Sequence, residues 1–179
     1  MKIYTKMGDG GDTRLFDGTK VRKNDDRVDA YGDIDELNSF IGAAASFLKD
    51  PTLASMLAEI QKDLFSVGAQ LADPSFKGQS RGKFHLAGDR VKVLEDAIDG
   101  FETELPPLRQ FILSGGGNSG ALLHVARTVC RRAERRVVSL SEKVEVNQTL
   151  IEYLNRLSDF LFVMARVVNH REGKEEILW

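Results

Sequence analysis

Six apolar residues recur at alternating four- and three-residue steps: Leu53, Leu57, Ile60, Leu64, Val67 and Leu71. That spacing puts them on one edge of an α-helix and excludes a strand, whose faces alternate every second residue. Such a helix must bury its edge against other helices. Pro51 stands near its start, where a missing N–H costs nothing. A second seam, Leu150, Leu154, Leu157, Leu161, Met164 and Val168, predicts a helix over about Asn147–Asn169. Leu37, Phe40, Ile41, Ala44 and Phe47 give a third within Asp26–Leu48; Asp33 and Glu36 there resemble a capping box, although the helix could start at Asp25 or Asp26. Gly42 and the three alanines after it predict close approach of another helix. Val91, Leu94, Ile98 and Phe101 predict a shorter helix from about Ala87 to Phe101, and Pro106-Pro107 ends that region.

The remaining helix carries the chemistry. Arg127 to Leu140 reads RTVCRRAERRVVSL, with strong helix formers and no Gly or Pro. Ala126, Val129, Cys130, Ala133, Val137 and Leu140 form its apolar stripe. Arg127, Arg131, Glu134 and Arg135 fall within roughly 100° of one another on a separate face. Three guanidiniums on one face can hold a polyphosphate through bidentate, permanently charged donors. The alternative is a solvated face stitched by Arg–Glu pairs.

Formal net charge is −2 over 179 residues, so any anion site is local and no pull toward nucleic acid or membrane is expected. The lone Cys130 excludes an internal disulfide and is read as a buried inert thiol in a cytoplasmic protein. Polar, glycine-rich sequence directly follows Met1-Lys2-Ile3, so no signal peptide is expected. No apolar run reaches the length of a membrane span.

Residues 1–25 are expected to form a loop, with extended pieces at Ile3–Thr5 and Thr13–Phe16. Its glycines let the backbone approach a ligand and turn several N–H groups one way. Thr5, Lys6 and Thr13 add hydroxyls and a cation, and Ile3, Tyr4, Leu15 and Phe16 are too apolar for a mere tail. Lys77, Arg81 and Lys83 make the loop over 73–87 basic. Phe111-Ile112-Leu113 runs into Ser114-Gly115-Gly116-Gly117, which opens a helix near Asn118 or Ser119. That junction can receive an anion or a flat ligand, but lacks the Lys-Ser or Lys-Thr of a Walker A loop. Asn155 and Asp159 flank the last seam, which suggests a register element or a pocket wall. The charged segment after His170 ends in Ile177-Leu178-Trp179, a frayed end or a docking group. The three histidines show no metal-ligand spacing, and no activated protein nucleophile is evident. An enzyme of this composition takes its nucleophile from the substrate.

IYTKMGDGGDTRLFDG, RVDAYGDIDELNSFIG, FILSGGG, VARTVCRRAERRVV and YLNRLSDFLFVMAR, in that order, resemble the PduO-type ATP:cob(I)alamin adenosyltransferases. RRAERR and YLNRLSDFLF are the specific blocks. The family commonly has T-K-T-G-D-K-G at the start; here Met7 replaces the second threonine and Gly10 the lysine. The departure touches a hydroxyl and a lysine contact, not the backbone cradle.

The resemblance implies an all-α five-helix bundle with an ordered glycine-rich N-terminal loop. One domain would span 1–179: nucleotide loop 1–25, bundle 26–170, tail 171–179. It implies a homotrimer with active sites between subunits, and transfer of the 5′-deoxyadenosyl group of ATP to cob(I)alamin with release of triphosphate. Magnesium is expected on the ATP phosphates rather than on protein side chains. ATP contacts carry over to Thr5, Lys6, Gly8, Asp9, Gly10, Gly11, Asp12, Thr13, Arg14 and Lys23, with Arg131, Arg132, Glu134, Arg135 and Asn155. Phe111, Asp35 and Arg127 match the corrinoid side, Phe111 beneath the corrin and Asp35 with Arg127 joining neighbouring subunits. Together with Arg131 they are the catalytic candidates. A reductase and an adenosylcobalamin-dependent enzyme are the implied further partners. The competing readings are a nucleoside-triphosphate hydrolase or kinase, which should carry a metal-carboxylate or base constellation, and a non-catalytic nucleotide sensor.

Overall fold

The computed structural model describes residues 2–75 and 84–179, so the basic residues Lys77, Arg81 and Lys83 lie outside the described residues. The chain runs β1 (Asp12–Arg14), β2 (Lys20–Arg22), α1 (Asp26–Ala45), α2 (Pro51–Leu71), α3 (Arg90–Glu102), α4 (Asn118–Ser141) and α5 (Gln148–Arg171). The five predicted helices are all present. The two strands form an antiparallel hairpin, Thr13 opposite Val21. Its first strand overlaps the extended piece expected at Thr13–Phe16; Lys20–Arg22 shows no period that would announce the second.

Helix starts follow local chemistry. Asp25, Asp50 and Asn147 each accept a backbone N–H two residues on, satisfying donors that a helix start leaves free. Asp33 and Glu36, expected as a capping box, lie inside α1. Asp25 is the actual cap, and the two carboxylates face α4 instead.

α1 packs on α2 and α4, α4 on α5, and α5 on α3, so α4 lies between α1 and α5. The predicted stripes of α2, α4 and α5 are buried throughout. Each buried Leu side chain contributes about 1.5–3 kcal/mol relative to exposure. Gly42 lies against α2: a Cβ there would meet the Gln61 amide at 3.1 Å, and that amide donates to the Asn38 carbonyl. Asp63 of α2 accepts from Tyr153 of α5 at 2.8 Å and pairs with Arg90 of α3 at 2.6 Å, fastening three helices at one point.

The tail doubles back. Ile112 bridges Leu178, Leu113 N–H donates to the Ile177 carbonyl, and Trp179 N–H donates to the Phe111 carbonyl. Buried Arg166 pairs with Glu176 at 2.6 Å and donates to the Pro106 carbonyl, fixing the tail to α5. The tail backbone thus pairs with its own chain, while the Trp179 side chain stays 84% exposed.

Candidate functional site

The N-terminal loop and hairpin form one cationic basin. Thr5, Met7, Gly8, Asp12, Thr13, Arg14, Lys20 and Lys23 line a cavity of about 540 Å³. Lys23 sits against Gly8, where a Cβ would meet its Nζ at 3.2 Å. Backbone and ammonium therefore converge, as a phosphate cradle requires. Lys6 has φ +60, a left-handed conformation that costs a non-glycine residue about 1 kcal/mol or more. Asp12 does not disrupt the basin's sign. Lys20 and Arg22 hold its two oxygens at 2.7 and 2.9 Å and keep its carboxyl below the usual range. Arg14 donates to the Gly18 carbonyl, and Asp9 and Gly10 are exposed at the loop tip.

The second basin lies on α4. Arg127 and Arg131, with Ile98, Glu102, Arg156, Ser158, Asp159, Phe162 and Val163, line a cavity of about 400 Å³. Arg131 and Arg135 are exposed. Among the described residues neither they nor Arg127 has a carboxylate at ion-pair distance. Arg127 is half-buried over the Phe162 ring, 5.9 Å from its centroid, and donates to Ser114 Oγ at 3.3 Å. Its Nε is buried without a partner. Burial, then the Arg131 charge, lowers the Arg127 guanidinium from its ordinary range. Glu134 accepts from Asn155 at 3.0 Å, joining the two as one polar ledge between α4 and α5. Asp159 pairs with Arg156 at 2.6 Å.

Arg132, expected among the nucleotide contacts, faces the other way. It pairs with Asp33 and Glu36 of α1, beside Arg136 with Asp29 and Asp33, and lines neither basin. Successive residues on a helix point about 100° apart, so Arg131 and Arg132 face different neighbours.

Asp35 is exposed on α1 and has no ion-pair partner among the described residues. Phe111 is 78% exposed, which rules out a plain core role; its ring stands edge-on to Trp179 at 6.4 Å. Cys130 is buried, donates to the Leu154 carbonyl, and burial raises its thiol far above the usual range, so it is inert as expected. Periodicity gave no sign of Phe162, Ser114 or the Trp179 contact. Phe162 lies off the α5 seam, and the other two depend on loops.

The family model for cobalamin adenosyltransferase matches residues 3–168. A corrinoid adenosyltransferase of Bacillus subtilis is 48% identical over 177 residues, 97% of this chain and 89% of that protein. The corrinoid adenosyltransferase PduO of Citrobacter freundii is 41% identical over 99% of this chain, which spans 53% of that longer protein. Among solved structures, a phenylalanine-to-histidine variant of a PduO-type ATP:corrinoid adenosyltransferase from Lactobacillus reuteri, complexed with cobalamin and ATP, superposes with a TM-score of 0.92. It is 40% identical, and the match covers 99% of this chain and 96% of that one. An arginine-to-lysine variant from the same organism, complexed with ATP, gives 0.88. The fold and the family match together define the class, a corrinoid-modifying transferase. The chain belongs to the cobalamin adenosyltransferase family.

Proposed function

We propose that the chain transfers the 5′-deoxyadenosyl group of ATP to cob(I)alamin at a site built by two subunits of a homotrimer. One observation carries the two-subunit reading. The loop basin and the α4 basin share no lining residue, and the hairpin makes no substantial packing with α4 or α5. A nucleotide that uses both needs a loop from one subunit and an arginine face from another. Asp35 and Arg127, each without a carboxylate–guanidinium partner among the described residues, suit a pair across that boundary.

In the reaction Co(I) attacks the ribose C5′. The Co–C bond forms from the cobalt electron pair, the C5′–O5′ bond breaks, and triphosphate leaves with the bonding pair of that C5′–O5′ bond. The nucleophile belongs to the substrate, which accounts for a site without a base or an activated side chain. The protein's part is positioning and charge. Thr5, Lys6, Gly8, Asp9, Gly10, Gly11, Asp12, Thr13, Arg14 and Lys23 would cradle ATP, Arg131 and Arg135 would take the charge growing on the leaving triphosphate, and Glu134 with Asn155 would orient the nucleoside. Phe111 would fill the lower corrin face with a group that cannot coordinate cobalt. Magnesium would arrive on the phosphates and shield their charge. Among the described residues no three His, Cys, Asp or Glu side chains could hold a metal; Asp12 and Asp17 have both oxygens engaged, and Asp9 is exposed at the loop tip. The chain would work as a single domain in the cytoplasm, beside a reductase that supplies Co(I) and an enzyme that uses the product. Among the described residues no helix is long and apolar enough to cross a membrane.

The test mixes protein, ATP, magnesium and reduced cobalamin and follows the visible spectrum, with sedimentation on the same sample. Growth of the alkylcobalamin spectrum by a trimer is the expected result. Phosphate release with an unchanged corrinoid would make the protein a hydrolase, and a catalytically complete monomer would remove the two-subunit site.

A further inference from the structure

Asn169, on the last turn of α5, is 7% exposed and has no part in the reaction just described. Its side chain makes two hydrogen bonds, both to the glycine run before α4. Nδ2 donates to the Gly115 carbonyl at 2.9 Å, and Oδ1 accepts from Gly117 N–H at 3.0 Å. Its own carbonyl accepts from Lys174 N–H at 2.8 Å, where the tail begins. Both segments that meet at Phe111 and Trp179 therefore leave from points held by this residue.

The same side chain explains two glycines, one in the run expected to receive a ligand and one in the first turn of α4. A Cβ on Gly116 or on Gly120 would overlap the Asn169 amide, and Gly116 in addition has φ +108, a region side chains disfavour. Gly115, by contrast, has open space around it. The glycines at 116 and 120 admit the asparagine. A short carboxamide supplies a donor and an acceptor together, which a carboxylate or a hydroxyl of similar reach does not do in this pose.

We propose that Asn169 is a positioning residue for the corrinoid half of the site. It fixes the Ser114–Gly117 turn, and through it the exposed Phe111 ring on one side and the Ser114 hydroxyl that receives Arg127 on the other. The proposal rests on the reading of Phe111 as the lower-face group.

Asn169→Asp tests it. The carboxylate keeps the acceptor for Gly117 N–H, close to the α4 N-terminus where negative charge is favoured. It loses the donor and sets an oxygen against the Gly115 carbonyl. Asn169→Ser serves as a second variant that leaves room for water. Full-length proteins are compared for assembly, ATP affinity, kcat, KM for corrinoid, and the four-coordinate Co(II) signal formed with ATP. The expected result is an intact assembly with unchanged ATP affinity, a reduced four-coordinate signal, and a corrinoid KM raised about tenfold, the size of one lost buried hydrogen bond. An unchanged corrinoid KM in a folded Asn169→Asp or Asn169→Ser protein overturns the proposal. So does an ATP affinity that falls in step with it, which marks a general structural role. Phe111→Ala run alongside keeps the two readings apart: a full four-coordinate signal there defeats the lower-face assignment, while Asn169 is judged by corrinoid KM.

Discussion

On α4, Arg132 and Arg136 turn toward α1 and meet Asp29, Asp33 and Glu36, whereas Arg127, Arg131 and Arg135 meet no carboxylate among the described residues. The first group ties α4 to α1. Its charges are spent between two helices that already pack together. The second group repeats every four residues, so like charges are stacked along one face, an arrangement that weakens an isolated helix by about 0.2–0.5 kcal/mol per pair. The lowered Arg127 guanidinium registers that repulsion beside its burial. A bundle that neutralises arginine on one face and, among the described residues, leaves three unneutralised on another supports the proposal that the second face receives an anion. Composition makes the two faces look alike; pairing separates them.

The largest effect should come from Arg131. Removing one donor aimed at a developing anion lowers rate about 10²–10³-fold. Arg131→Ala should therefore keep assembly and melting temperature and lose turnover at saturating ATP, with partial recovery in Arg131→Lys because the planar fork is gone. Near-normal turnover in a folded Arg131→Ala protein would erase the distinction between the faces. Next in size is the proposed cross-subunit pair. Asp35→Asn and Arg127→Ala should cost less together than the sum of the singles, by about 0.5–3 kcal/mol in a double-mutant cycle of activity and trimer stability. Strict additivity would mean that Arg127 is unpaired in the assembly as well.

Arg132→Ala should behave in the opposite way to Arg131→Ala. Partly exposed ion pairs contribute about 0.2–1 kcal/mol, so a small drop in unfolding free energy with near-normal turnover is expected. A large loss of turnover would return Arg132 to the nucleotide site.

The smallest effect concerns His124, buried one turn before Arg127 with its Nδ1 unpartnered. Burial, then the Arg127 charge, pushes it down to about 4, opposed by Glu176. Below its ordinary value near 6.5 the unfolded chain takes up a proton that the folded chain resists. Stability from this group is therefore complete above about pH 6.5 and is lost as pH falls toward 4. Melting temperature should decline across that window, and His124→Gln should flatten the decline. An identical slope in the variant would assign the acid sensitivity elsewhere.

The fold was legible because the apolar stripes are long and regular: Leu53 to Leu71 and Leu150 to Val168 predicted both helices and both buried edges. The start of α1 was legible as an alternative, Asp25 outcompeting the box at Asp33 and Glu36 because those carboxylates have arginine partners on α4. Arg131 could be singled out by helical angle, but Arg132 could not be set apart from it until its α1 partners were in view. The exposure of Phe111 could not be read from its apolar neighbours Ile112 and Leu113, since it depends on where the tail returns. Asn169 was unreadable for the same kind of reason. It ends a regular helix, and its partners lie more than fifty residues earlier in the chain.

The central claim, that the unpaired face of α4 holds the phosphates and the paired face does not, is tested most directly by binding without chemistry. Calorimetric titration of inorganic triphosphate into the unmodified protein, Arg131→Ala and Arg132→Ala isolates the phosphate contacts from corrinoid and from turnover. The account predicts that Arg131→Ala loses affinity at least about tenfold, the scale of one charge-assisted hydrogen bond, while Arg132→Ala binds as the unmodified protein does. Equal losses in the two variants, or a loss confined to Arg132→Ala, would contradict it.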